Sequence, residues 1–334
     1  MPVVFPGPTI SLNTAHAFAA FFTLSYVGSL YISRNARLSF KKEVKVDLRD
    51  GESREKKRDE RWRDDPDVIR ARLVAASLST VVSCLTVLVL MRSLVPGYLP
   101  FVVVLESTLA RLGFTLEFND QQRFSIVWPC LVAPILYLGP LFGCYLASSL
   151  PFQQRWSWRG SAAPIVMTWM GLRNYIMGPI TEEIVFRACI LSVYHMAGVS
   201  HAKMIFLTPF TFGAAHIHHA WETYNRYGRN MSALQHALIG TLFQLTYTSL
   251  FGFHCAFLFL RSGSILPSLT SHVFCNIMGL PRFREDVLRY PQWHYIIRTM
   301  YWMGIAGYIY TMIHWTQAPD SLYWPVPGLK LGRY

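Results

Sequence analysis

Long apolar stretches recur along the chain and are separated by shorter polar segments. About 20 consecutive apolar residues suffice for a helix to cross the roughly 30 Å hydrocarbon core of a bilayer. Four such stretches contain no Asp, Glu, Lys or Arg: 10–33, 73–91, 124–150 and 231–260. Four more carry Arg, Lys, Glu or His inside them or at their edges: 161–195, 202–217, 262–281 and 293–315. The pattern predicts an all-α, polytopic membrane protein of about eight transmembrane helices.

The four stretches with ionisable side chains are the ones in which we expect function. Hydrocarbon penalises such side chains by several kcal/mol unless they face a protein interior or a wet cavity. We therefore expect an intramembrane catalytic cavity formed by these helices.

Composition and charge support a membrane protein and indicate its orientation. The 334 residues are 52% hydrophobic and 15% charged, whereas soluble domains contain about 25% charged residues. The net charge is +12, and charged side chains are most numerous in the hydrophilic segment 34–72, where acidic residues are interleaved with basic ones. Because Lys and Arg near transmembrane ends stay in the cytosol, this segment predicts a cytosolic loop and no nucleic-acid partner.

The rest of the chain shows no boundary that divides it. We expect one membrane domain over 1–334, with a catalytic core at 125–285 and a mobile, charge-rich part of the cytosolic loop at about 40–66. The segment 97–123 is too charged to span and suggests an interfacial helix. The tail 317–334 contains three prolines and is expected to be irregular.

The first candidate cluster is an acidic pair within an apolar setting, GPITEEIVFR. In an α-helix Glu183 and Arg187 are four residues apart and share a face, so they can pair. Glu182 has no partner at that spacing and is left to exchange a proton with a substrate or water. The alternative is that both acids are structural, stabilised by a helix N-terminus after Pro179 and by Arg187.

The second cluster places Phe212 and His216 four residues apart at the end of an apolar stretch. Such a histidine can share a proton with a carboxylate, bind a metal or simply lie at the membrane interface. The third cluster places His272 and Asn276 one helical turn apart, so that both can converge on one oxygen atom. Polar residues in membrane helices also form purely structural hydrogen bonds between helices.

Together the clusters supply what hydrolysis of an amide requires. Glu182 with His216 can deprotonate water, and His272 with Asn276 can donate to the tetrahedral oxyanion. The GxSxG pattern of a serine nucleophile is absent. Glu and His are also zinc ligands, although the HExxH spacing is absent.

In this order the three clusters resemble the type II CaaX prenyl proteases, whose pattern is EExxxR, FxxxH and HxxxN. The segments Arg173-Asn174-Tyr175 and 246–263 add to the likeness, which covers about 125–285. The resemblance implies an endopeptidase of the endoplasmic reticulum membrane. Such an enzyme removes the last three residues of farnesylated or geranylgeranylated CaaX proteins, such as Ras-type small GTPases, and needs no metal or other cofactor.

The resemblance also implies roles for individual residues, carried over position by position. Glu182 and His216 would activate water, and His272 and Asn276 would hold the oxyanion. The supporting residues would be Glu183, Arg187 and Phe212. Two alternatives stay open at this stage: a zinc-dependent intramembrane metalloprotease with Glu182, His216 and His272 as ligands, and a non-catalytic membrane scaffold with the same fold.

Overall fold

A computed structural model describes residues 3–41, 52–114, 127–319 and 321–324 of the chain. Regular secondary structure in these residues is helical, apart from a single antiparallel bridge between Ser39 and Arg61. The α-helices are α1 Leu12–Ile32, α2 Pro66–Leu94, α3 Phe101–Arg111, α4 Val127–Leu136, α5 Leu138–Leu146, α6 Ala163–Val166, α7 Trp169–Gly171, α8 Gly178–Glu183, α9 Ile190–Met196, α10 His201–Phe206, α11 Pro209–Ala214, α12 His219–Arg226, α13 Met231–Ser262, α14 Leu266–Met278, α15 Phe283–Arg289 and α16 His294–His314. Three π-helical segments, Trp158–Ala162, Leu172–Met177 and Ile184–Cys189, and the 3-10 turn Pro291–Trp293 complete the set.

Three helices in the described residues are long and apolar enough to cross a membrane: α1, α2 and α13. The helices α4 and α5 make a fourth span if they are taken together, since they are bent by 66° at a short break. These elements coincide with the four uncharged stretches of the sequence. The prediction of a helical membrane protein is therefore confirmed, whereas the number of eight spans stays a prediction.

Two of the charged stretches are not single helices. The stretch 161–195 is interrupted at Met167, and Thr168 begins a new helix by accepting a hydrogen bond from the Gly171 N–H at 2.9 Å. The stretch 202–217 is interrupted before Pro209, which occupies the first position of α11. Proline is favoured there because the first N–H groups of a helix have no partner inside it.

Internal contacts divide the chain into two compact units. The first unit comprises Met1–Pro6, Leu88–Glu183 and Phe257–Tyr334, and the second comprises Gly7–Val87 and Ile184–Ala256. The expectation of a single membrane domain over 1–334 stays a prediction.

Small residues allow close helix packing in the first unit. A Cβ atom added at Gly139 would lie 2.2 Å from the Tyr301 ring, and one added at Gly304 would lie 2.7 Å from the Leu136 carbonyl oxygen. Such glycines let the backbones of membrane helices approach each other. They explain how α16 packs on both halves of the bent pair α4 and α5.

The C-terminal tail packs into the first unit, although its described residues 321–324 form no helix. Tyr323 is 1% exposed, and its hydroxyl donates a hydrogen bond to the carbonyl of Arg111. The guanidinium of Arg111 lies 5.0 Å from the centroid of the Phe5 ring. The tail is thus irregular in its described part, as the sequence suggests, and it covers a buried arginine of α3.

The charged loop of the second unit is packed over its residues 52–65, whereas 42–51 lie outside the described residues. Arg54 and Glu60 form two parallel hydrogen bonds of 2.7 and 2.8 Å, with both side chains buried. The Arg54 N–H donates to the carbonyl of Arg226 in α12 at 3.0 Å. Trp62 lies against both guanidiniums, at 5.3 Å from Arg54 and 5.7 Å from Arg226. The expectation of a mobile loop at 40–66 is wrong for this part, because a bidentate ion pair and a stacked indole hold it on α12.

This ion pair predicts a stability that depends on pH. Burial opposes ionisation of Glu60, but hydrogen bonds from Arg54 and from the N–H groups of Lys41 and Lys57 outweigh it and lower the pKa to about 2. A carboxylate with a lowered pKa stabilises the fold above its unfolded pKa of about 4.5, and this contribution is lost as pH falls towards 2. We expect Glu60→Gln to lower the free energy of unfolding by up to about 3 kcal/mol at pH 7.

The measurement is thermal unfolding of both proteins in detergent between pH 7 and pH 2. The difference in thermal midpoint between wild type and Glu60→Gln should shrink as pH falls from 4.5 to 2. The exposed Glu55 of the same loop supplies the control variant, Glu55→Gln. A difference that stays constant over this range would show that ionised Glu60 does not stabilise the loop.

Candidate active site

The acidic pair lies at the end of the short helix α8, between two π-helical segments. The side chain of Glu183 is 0% exposed, and that of Glu182 is 23% exposed. Within the first unit, Glu183 is therefore enclosed by protein while Glu182 can be reached. The two neighbouring carboxylates thus differ in their access to a proton donor from outside.

Residues Gly178 and Pro179 explain the π-helical segment that precedes α8. Pro179 has no N–H, and its ring excludes the carbonyl one α-helical turn earlier. The backbone widens instead, and the Gly178 N–H donates to the carbonyl of Arg173, five residues before it. A Cβ atom at Gly178 would lie 2.3 Å from that carbonyl oxygen, so only glycine fits. Such π-helical turns occur frequently at functional sites.

His272 lies between the two carboxylates. Its Nδ1 is 2.7 Å from Glu183 Oε1, and its Nε2 is 3.7 Å from Glu182 Oε2. The first distance is a short hydrogen bond and the second is longer than one. His272 is 5% exposed, so this Glu183–His272 contact is buried.

The contact with Glu183 fixes how the imidazole presents itself to Glu182. An ionised carboxylate can only accept hydrogen bonds, so Nδ1 of His272 carries a proton. The opposite nitrogen, Nε2, then points towards Glu182. An oxygen atom of water or substrate about 3 Å from both groups could exchange protons with either one.

Asn276 lies one turn further along α14 and donates from Nδ2 to the backbone carbonyl of Asn174 at 2.8 Å. In the π-helical spacing of five residues, the carbonyl of Asn174 would accept from the N–H of residue 179. Residue 179 is proline and has no N–H, so Asn276 supplies the donor in its place. The amide of Asn276 has a second N–H, which this contact does not use.

The remaining motif residues belong to the second unit and stack on one another. The guanidinium of Arg187 lies 4.3 Å from the centroid of the Phe212 ring. The ring of Phe212 meets that of His216 edge to face at 4.8 Å. His216 Nδ1 lies 2.8 Å from the carbonyl of Phe212, which can only accept, so the neutral imidazole keeps its lone pair on Nε2. This is the tautomer that a base acting through Nε2 requires.

The structure thus brings Glu182, Glu183, His272 and Asn276 together in the first unit, and Arg187, Phe212 and His216 in the second. Sequence reasoning missed two partners. It assigned Glu183 to Arg187 and did not foresee the hydrogen bond between Glu183 and His272. It also missed the Asn174 carbonyl, for which Pro179 five residues later was the available signal.

Comparison with known proteins identifies a family over this part of the chain. The sequence profile described as type II CAAX prenyl endopeptidase Rce1-like matches residues 164–278, which include all seven motif residues. No solved structure gives a significant match to the chain.

Several relatives extend the similarity beyond the motifs. The probable CAAX prenyl protease 2 of Schizosaccharomyces pombe is 34% identical over 66% of this chain and 70% of its own length. The human CAAX prenyl protease 2 is 34% identical over 80% of this chain and 71% of its own length. The Caenorhabditis elegans protein of that name is 30% identical, over 75% and 86% respectively. The chain therefore belongs to the CAAX prenyl protease 2 family of endopeptidases, and the resemblance found in the motifs is confirmed.

Proposed function

We propose that this chain cleaves prenylated CaaX proteins and releases the C-terminal aaX tripeptide, with Glu182 as the base that activates water. The observation that carries the proposal is the arrangement around His272. A buried carboxylate holds one side of the imidazole, and an accessible carboxylate faces the other side. Membership of the CAAX prenyl endopeptidases supplies the reaction class.

Glu182 accepts a proton from water, and the water oxygen attacks the carbonyl carbon of the scissile amide. His216, through Nε2, assists this proton transfer. The tetrahedral intermediate collapses when the C–N bond breaks, and the proton taken from water passes to the leaving amine. Glu183 is a positioning residue, because it acts through His272.

The oxyanion of that intermediate receives hydrogen bonds from His272 Nε2 and from the second N–H of Asn276. For His272 to donate on both sides, both ring nitrogens must carry protons. The carboxylate of Glu183 supplies the charge that balances such an imidazolium, because Glu182 holds the proton taken from water at this stage. Donors of this kind stabilise charge that develops only in the transition state.

The same proposal includes the membrane setting. About eight helices would cross the endoplasmic reticulum membrane, and the polar site would open both to the bilayer and to the cytosol. The farnesyl or geranylgeranyl chain can then partition into lipid while the peptide enters from the polar side. CaaX proteins such as Ras-type small GTPases are the proposed substrates.

A cleavage assay on a farnesylated CaaX peptide tests the proposal. Purified protein in lipid should release the aaX tripeptide, and a zinc chelator should leave the rate unchanged. Activity lost to the chelator and restored by zinc would identify a metalloprotease instead. A well-folded protein that releases no tripeptide from any prenylated peptide would identify a scaffold.

Asn276 makes a structural hydrogen bond to the Asn174 carbonyl in addition to its proposed catalytic role. The two contributions can be measured separately. We expect Asn276→Ala to lower kcat roughly 10²-fold with little change in KM, as for other oxyanion donors. The thermal midpoint should also fall, because the Asn174 carbonyl loses its donor. Steady-state kinetics on the prenylated peptide, together with thermal unfolding, separate the two effects. A lower midpoint with unchanged kcat would leave Asn276 with the structural contact alone.

The proposed orientation predicts the glycosylation of the chain. The sequon Asn230-Met231-Ser232 should stay unmodified, because alternating spans place it in the cytosol. Asn230 Oδ1 also accepts a hydrogen bond from the Ala233 N–H at 2.7 Å. Because this contact can by itself keep the Asn230 side chain unmodified, a positive control is needed. The variant Gly97→Asn with Leu99→Ser creates a sequon on the opposite side, after α2. A glycosidase-sensitive mass shift should appear with this variant only, and the reverse result would contradict the orientation.

A further inference from the structure

A groove of about 990 Å³ lies between α1 and α2 in the second unit, and its lining contains none of the motif residues. The surface of its walls is mainly apolar and includes the side chains of Leu24, Ile32, Val74 and Leu78. These four are between 61% and 78% exposed. An apolar groove between two helices that are each long enough to span a membrane faces lipid.

The charged residues that line the groove all lie at one end. This end lies where α1 ends and α2 begins, and its lining there includes Ser33, Asn35, Arg61, Asp67 and Arg70. Asp67 pairs with Arg70, and the second guanidinium, that of Arg61, leaves this end with a net positive charge. An apolar channel with a cationic end is complementary to an anionic amphiphile.

Arg61 provides a second, independent observation. Its backbone is held by the bridge to Ser39, with N–H···O distances of 3.0 and 3.1 Å. Its Nε is buried and has no hydrogen-bond partner in the part of the chain that the structure describes. Native proteins rarely leave a buried donor without an acceptor. A phosphate oxygen bound at this guanidinium would supply one.

The length of the groove fits one leaflet. From Arg70 to Val82 the lining follows α2 over thirteen residues, and the twelve steps between them rise about 18 Å at 1.5 Å per residue. One leaflet contributes about half of the roughly 30 Å hydrocarbon core. The groove therefore has its cationic end near the level of the headgroups and its apolar part at the depth of an acyl chain.

We propose that this groove is a binding site for one anionic glycerophospholipid, with its phosphate at Arg61 and Arg70 and an acyl chain between α1 and α2. Basic pockets between transmembrane helices recognise anionic headgroups by this chemistry. The prenyl chain of a substrate fits less well, because it has no anionic group at the end that would meet the guanidiniums.

Two sets of variants test the two ends of the groove. Arg61→Gln with Arg70→Gln removes the charge, and the exposed Arg58 of the same loop supplies the control Arg58→Gln. Gly28→Leu fills the apolar part, since a Cβ atom there meets no atom within 4 Å. Gly240 in α13 is equally open and lies outside the groove, so Gly240→Leu is its control.

Each protein is titrated with dioleoyl phosphatidylserine or dioleoyl phosphatidylcholine in detergent, and bound lipid is counted by native mass spectrometry. We expect wild type to bind one phosphatidylserine in preference to phosphatidylcholine. Removing each arginine should weaken phosphatidylserine binding roughly fivefold. Gly28→Leu should reduce binding of both lipids, and both controls should behave as wild type. If the double variant fails to fold, Arg70→Gln alone tests the charge, because that side chain is 53% exposed.

Three outcomes would overturn the proposal. The first is equal binding of the two lipids by wild type, which would indicate ordinary annular lipid. The second is phosphatidylserine binding that survives loss of both arginines. The third is unchanged lipid binding in Gly28→Leu together with a raised KM for a farnesylated peptide, which would assign the groove to the prenyl chain of the substrate.

Discussion

Glu182→Gln should lower kcat for a farnesylated CaaX peptide by roughly 10² to 10⁴-fold, the range expected for loss of a general base. Glutamine keeps the size of the side chain but cannot accept the proton of water. Because Glu182 is partly accessible and its carboxylate lies beyond hydrogen-bond distance of His272, the variant should fold normally. Its thermal midpoint and its amount in membranes should therefore match those of wild type.

The control for this variant is another carboxylate of the same unit. Glu285 in α15 is 58% exposed and pairs with Arg282 on the surface. Glu285→Gln should retain wild-type kcat, whereas Glu182→Gln should not. Normal kcat in well-folded Glu182→Gln would remove Glu182 from the role of base.

The hydropathy pattern predicts the long uncharged helices correctly. It does not predict where the charged stretches are broken into shorter helices. A continuous apolar run such as 73–91 has one compatible state in a bilayer, because every backbone group must be satisfied within the helix. The stretch 161–195 is also largely apolar, but it carries charged residues and contains Pro164 and Pro179, which alter the hydrogen bonding around them. Their effect depends on neighbouring side chains such as Asn276, which periodicity does not reveal.

The motif residues were found from the sequence, but their partners were not. Glu183 and Arg187 were expected to pair because an α-helix places residues four apart on one face. The backbone from 184 to 189 is π-helical instead, and the face that residue 187 presents changes with it. The pairing of Glu183 with Arg187 stays a prediction. The hydrogen bond that His272 donates to Glu183 joins positions 89 residues apart and could be seen only in the fold.

The partners of the charged loop also could not be predicted from the local sequence. Its interleaved acids and bases are typical of a solvated segment, and nothing in the spacing singles out Arg54 and Glu60. The ion pair forms because α12 offers backbone carbonyls at Asn225 and Arg226, which accept hydrogen bonds of 2.9 and 3.0 Å from Arg54. Local sequence cannot show that acceptor, since it lies about 170 residues away.

His272→Ala should affect activity and stability through different partners. Activity should fall at least 10²-fold, because the proposed oxyanion loses a donor next to Glu182. Stability should fall by roughly 1.5 to 3 kcal/mol, the usual value for a hydrogen bond to a charged group. The loss arises because the fully buried carboxylate of Glu183 no longer receives the imidazole N–H.

A double variant separates the two effects. In His272→Ala with Glu183→Gln, the side chain left without the imidazole is neutral, so its desolvation costs less. The thermal midpoint should therefore recover in part relative to His272→Ala alone, while kcat stays at the level of the single variant. Recovery of kcat together with the midpoint would mean that His272 acts only by keeping Glu183 in place. Loss of kcat that persists in a protein of restored stability would support direct contact between His272 and the reacting carbonyl.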